Sequence, residues 1–160
     1  MSDSRLPALG PRGEGWVVAQ AVVGAAIVVL GLVGPGWPSS VRLVLSVVGA
    51  VLAACGLALF VWGVASLGPS ISPFPRPAEG ASLLDHGAFR RVRHPIYGGI
   101  LLLAAGWSLV RSPLALVASA VLAMVLELKS RHEEALLVAT YRGYDEYRRR
   151  VRWRFVPGIH

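Results

Sequence analysis

The sequence predicts an all-α membrane protein with about four transmembrane helices and a C-terminal region facing the cytoplasm. Three observations carry this. Of the 160 residues, 54% are hydrophobic and only 16% charged, too apolar a balance for an ordinary soluble domain. Residues 15–41 and 43–75 are two charge-free runs, each longer than the ~20 residues that cross a hydrocarbon core as a helix. The basic residues fall unevenly among the segments that join the apolar runs.

The first helix is predicted over 15–33. The first fifteen residues are polar and the apolar run behind them lacks a small-residue cleavage site, so this helix reads as retained and not as a secretory signal. Gly34-Pro35-Gly36-Trp37-Pro38 is a turn by its residues alone, and the second helix follows over 43–67. A connection this short predicts an antiparallel hairpin. The lone Cys55 lies in the second run, which rules out an intrachain disulfide. Four scattered histidines without ligand spacing give no expectation of a metal site.

The stretch 68–93 contains Pro69, Pro73, Pro75 and Pro77 and reads as a loop at the membrane surface, because proline removes the donor and the backbone freedom a helix needs. Next comes an apolar stretch, 95–126, interrupted at Arg111-Ser112-Pro113. As one helix it would measure ~48 Å against ~30 Å of hydrocarbon. A break at Pro113 is more economical and predicts a third helix over 95–110 and a fourth over 113–137, whose last turns emerge into water. The chain divides into an N-terminal tail and hairpin, 1–67, and a core of loop, second hairpin and tail, 68–160, within one domain.

Two basic residues precede the first helix, four lie in the middle loop and eight follow from Lys129 onward, so 14 of 16 fall on one side and only Arg42 and Arg111 on the other. The positive-inside rule then puts both termini and the middle loop in the cytoplasm. The net charge of +7 flanks apolar spans instead of forming a soluble basic face, which points to anionic lipid and not to nucleic acid. Brevity and an alanine-, glycine- and arginine-rich composition fit a bacterial inner-membrane protein.

Two clusters bear chemistry. Arg93-His94-Pro95-Ile96-Tyr97-Gly98-Gly99 opens the third helix, with proline at a normal first position and glycines that admit a neighbouring helix or a ligand at close range. Free N–H groups there favour an anionic group. Glu127, Lys129, Arg131, Glu133 and Glu134 close the fourth helix; alone they read as a solvated helix end, with Glu127 and Arg131 paired at a spacing of four. Hairpin geometry changes that reading. From Ser112 it is 18 residues back to His94 and 22 forward to Glu134, or ~27 and ~33 Å, so both clusters reach the same membrane edge. His86, His132 and His160 read as loop or solvent-facing residues. The arginines Arg148, Arg149, Arg150 and Arg152 suit anionic headgroups, and Trp16, Trp37, Trp107 and Trp153 suit interfacial anchoring.

The Arg93–Gly99 motif, an apolar hairpin and then Glu133-Glu134 together resemble the isoprenylcysteine carboxyl methyltransferase and phospholipid methyltransferase families. The lead-in Gly87-Ala88-Phe89-Arg90-Arg91-Val92 and the tail Tyr144-Asp145-Glu146-Tyr147 through Arg154-Phe155-Val156-Pro157 resemble theirs as well. The resemblance implies S-adenosylmethionine as cofactor, contacted by Arg93, His94, Pro95, Tyr97, Gly99, Glu133 and Glu134, with a lipophilic or small acceptor arriving from the bilayer. Arg154, between the basic run and the apolar Phe155-Val156-Pro157, reads either as orienting the acceptor or as one more headgroup-binding arginine; with Glu134 it is taken as catalytic, and with Tyr144 and Tyr147 as an acceptor contact. The tail opens Tyr141-Arg142-Gly143-Tyr144, a departure from the family spacing. Two other readings stand beside this one, a nicotinamide-dependent membrane sterol or enone reductase with a similar motif and a non-catalytic four-helix scaffold.

Overall fold

The computed structural model describes residues 9, 13–67 and 83–159, and these form five α-helices with no strand among them. They are α1 (Glu14–Val33), α2 (Ser39–Leu67), α3 (Pro95–Arg111), α4 (Pro113–Thr140) and α5 (Tyr144–Arg150), with a short 3-10 turn at Gly87–Arg90 before α3. Helices α1, α2 and α4 are long and apolar enough to cross a membrane, and α3 is a shorter apolar helix. The protein is an integral membrane protein. The proline-rich loop expected over 68–93 falls largely outside the described residues, as do Arg5, Arg12, Arg76 and His160.

The break at Pro113 falls where the proline rule puts it. Ser112 is extended (φ −161°, ψ 137°), ends α3 and caps α4 by accepting a hydrogen bond from the Leu114 N–H at 3.2 Å. Proline disfavours the helical conformation in the residue before it and sits well at a first helical position. Helix α2 starts four residues earlier than expected because Arg42 does not interrupt it: its guanidinium turns back to the Trp37 carbonyl at 3.2 and 3.3 Å. A cation that snorkels to the helix end is compatible with an otherwise apolar span.

The first two helices do not pack along one another; α2 lies antiparallel against α3, and α1 lies against α4 with a smaller contact to α3. Gly56 and Gly99 face each other across α2 and α3, where a Cβ on Gly99 would come within 2.8 Å of the Gly56 carbonyl and 2.7 Å of the Phe60 backbone. Small residues at such crossings let helix backbones approach in a solvent where apolar side chains gain nothing by leaving lipid. The two helices of the N-terminal segment thus contact the α3–α4 pair separately, α2 through α3 and α1 mainly through α4.

At the end where α1 meets α2 and α3 meets α4, the connections are tied by neutral or single hydrogen bonds. The Trp37 indole donates to the Ser108 carbonyl (3.1 Å), the Trp107 indole to the Ile27 carbonyl (3.3 Å), and Arg111 to the Gly31 carbonyl (3.1 Å). The opposite end gathers the ionisable side chains.

Candidate functional site

Helix α3 opens with Pro95 at its first position and His94 as its N-cap. The chain just before it runs beside the C-terminal tail: Arg93 N–H donates to the Trp153 carbonyl (3.0 Å), His94 N–H to the Arg154 carbonyl (2.8 Å), and Val92 and Trp153 form a parallel bridge. The Arg93 guanidinium extends the seam, donating to the carbonyls of Val151 (2.8 Å) and Arg152 (2.9 Å). Gly98 carries the tail across α3, since any Cβ there would collide with the Phe155 carbonyl.

Helix α4 meets this seam with its carboxylates. Glu134, only 4% exposed, places Oε1 at 2.9 Å from Arg93 Nε, 3.1 Å from His94 Nε2 and 3.4 Å from Arg154 Nε. One buried carboxylate thus faces three basic side chains from two segments. Burying charges in this way is tolerable only when they are mutually paired and hydrogen-bonded. Glu133 is approached by the Tyr97 hydroxyl, which donates to its Oε1 at 2.6 Å, and by His94 Nδ1 at 3.5 Å from Oε2. His94 lies parallel to the Tyr97 ring at 5.5 Å between centroids. The two clusters that hairpin length brings to one depth are therefore in direct contact.

Arg154 bridges the tail to α4 through Glu127, a pair in which Glu127 Oε1 also takes Arg131 Nε at 2.7 Å. Burial works against the charge on Arg154, but the bond from Glu127 and the field of Glu134 outweigh it, so the guanidinium holds its proton more firmly than usual. Its Nε is buried without a hydrogen-bond partner. Glu127 belongs to the second sequence cluster, where its pairing with Arg131 is predicted; its contact with Arg154 is not expected from the sequence.

Not every expected residue reaches the cluster. Gly99 faces α2 and serves helix packing. Tyr144 and Tyr147, 2% and 3% exposed, pack with Val151 and Leu137 in a separate apolar cluster beneath the tail, and the Tyr147 hydroxyl donates to the Phe89 carbonyl at 2.8 Å. Burial pushes both phenols well above the ordinary tyrosine range, with Glu134 adding to the shift at Tyr144. The Tyr147 bond ties α5 to the turn before α3. Lys129, taken for part of a solvated helix end, is 2% exposed, and His132 lies half-buried with its ring 6.5 Å from that of Trp16.

Apolar membrane-crossing helices with a buried arginine–histidine–glutamate cluster at one end define an integral membrane protein with an ionic site at the end of its helices. The phospholipid methyltransferase family profile matches residues 44–143, more than half of the chain, and the chain belongs to that family of membrane methyltransferases. No curated protein matches it. The matched segment holds α3, Arg93, His94, Tyr97, Glu133 and Glu134; α1 and the tail with Arg154 lie outside it.

Proposed function

We propose that the protein transfers a methyl group from S-adenosylmethionine to a lipophilic or small acceptor at the cytoplasmic membrane face. The observation that carries this reading is the buried contact of Arg93, His94 and Tyr97 with Glu133 and Glu134 inside the family-matched segment.

The residues fit such a donor by their chemistry. Glu133 Oε2 lies 3.5 Å from His94 Nδ1, and a carboxylate oxygen accepts from an amine or from ribose hydroxyls. When bound, S-adenosylmethionine supplies an electrophilic methyl on a sulfonium. The protein's part is then to orient both partners and exclude water, an effect that can lower such a barrier by ~7–11 kcal/mol. Glu134 holds Arg93, His94 and Arg154 in register. Arg154 orients the acceptor, its planar fork matching a carboxylate or phosphate. A carboxylate acceptor needs only that cation, whereas an amine or thiol also requires loss of a proton.

The test is calorimetric titration of the protein in lipid nanodiscs with S-adenosylhomocysteine. His94→Ala and Glu133→Gln should each weaken binding by ~1.5–3 kcal/mol, the worth of a hydrogen bond to a charged group. Unchanged affinity in both variants, with the fold intact, rejects the assignment. Glu133 is the better carboxylate to change because Glu134 also holds the tail. A match to NADPH and not to the methionine derivative would favour a reductase.

A further inference from the structure

Lys129 is the one buried lysine of α4, and the reading so far gives it no task. It lies four residues before Glu133, so the two side chains share a helix face. It points inward, 2% exposed. Its ammonium donates to Gln20 Oε1 of α1 at 3.1 Å and stands 4.9 Å from the centre of the Tyr97 ring. That ring is the one whose hydroxyl donates to Glu133 at 2.6 Å and whose face stacks on His94. Gln20, Lys129, Tyr97 and Glu133 thus form a continuous chain of contacts from α1 to the carboxylate that faces the proposed methyl donor.

A lysine in an apolar helix is costly and is kept where it pairs within the bundle. A cation over an aromatic face is attracted by the ring quadrupole, most strongly when water is excluded. The ammonium therefore fixes the plane of Tyr97, and through it the direction from which the hydroxyl reaches Glu133. Gln20 in turn fixes the ammonium. This tether comes from α1, which lies outside the family-matched residues 44–143.

We infer that Lys129, held by Gln20, is a positioning residue for the Tyr97–Glu133 pair, and that α1 is thereby a functional part of the methyl-transfer site and not only a membrane anchor. The inference rests on the methyl-donor reading above. It predicts energetic coupling between Lys129 and Tyr97, which mere packing of α1 against α4 would not produce.

The experiment is a double-mutant cycle on S-adenosylhomocysteine affinity in nanodiscs, with Lys129→Met, Tyr97→Phe and the double variant, and thermal unfolding of each as the folding control. Each single change should weaken binding about tenfold, and the double variant should lose no more than about threefold beyond the weaker single variant, since the two residues act as one unit. Gln20→Leu should weaken binding in the same direction by about threefold, and it replaces Lys129→Met in the cycle if that variant does not fold. Independent losses multiplying to about a hundredfold, or tight binding by folded Lys129→Met, overturn the inference while the methyl-donor reading stands. Wild-type protein that binds no S-adenosylhomocysteine overturns both.

Discussion

The two ends of the α3–α4 hairpin solve the same problem differently. At the tight turn, Ser112 caps α4 with its hydroxyl, and indole and guanidinium groups donate singly to carbonyls of neighbouring helices. At the other end, one carboxylate, Glu134, faces Arg93, His94 and Arg154 within 3.4 Å. A neutral cap can be removed for ~1 kcal/mol. A carboxylate surrounded by three basic groups cannot, because its loss leaves uncompensated buried charge. The turn end is held by neutral caps and single bonds; the ionic end concentrates paired buried charge.

The largest effect should come from Glu134→Gln. Removing one member of a buried ionic cluster costs ~3–5 kcal/mol, and here it also frees Arg93 and Arg154, which hold the tail. Thermal unfolding in detergent should drop markedly and limited proteolysis should cut the tail near Val151. Unaltered melting and an uncut tail would mean that the ionic end is no more critical than the turn.

A smaller and more selective effect is expected from Arg154→Lys. Lysine keeps the charge but loses the fork, so turnover with a lipid extract should fall at least tenfold while S-adenosylhomocysteine affinity stays constant. Arg149→Lys, on the exposed face of α5, should do little. Equal small effects from both would reduce Arg154 to a headgroup contact. The smallest functional effect belongs to the variants that locate the two ends. In a Cys55→Ser background, Ser39→Cys at the turn end and His86→Cys at the ionic end should retain cofactor binding yet label from opposite sides of sealed vesicles. Labelling from one side would break the placement of the two ends at opposite faces of the membrane.

Much of this layout is legible in the sequence. Helix limits followed from prolines and charge, and the meeting of His94 with Glu134 followed from counting residues on either side of Ser112. The pairing of helices was not legible, because α1 and α2 are apolar all round and show no preferred face; lipid and protein interior are equally apolar partners. For the same reason Lys129 read as solvated: charge marks an aqueous end by default, and only the position of α1 shows that it is enclosed. The tail's alignment along Val92–His94 was equally hidden, since two short segments joined by backbone hydrogen bonds leave no side-chain pattern.

That alignment also sets an order of events during synthesis. Residues 151–155 leave the ribosome after the membrane helices, yet Arg93 finds its carbonyl partners, and Glu134 its third basic partner, only in them. Domains generally take shape as the chain emerges, N-terminal parts first. Here the helices can be inserted while the ionic end is still unfinished, and residues 151–155 close it when they follow. A nascent chain in the bilayer therefore lacks the complete ionic cluster until residues 151–155 have emerged.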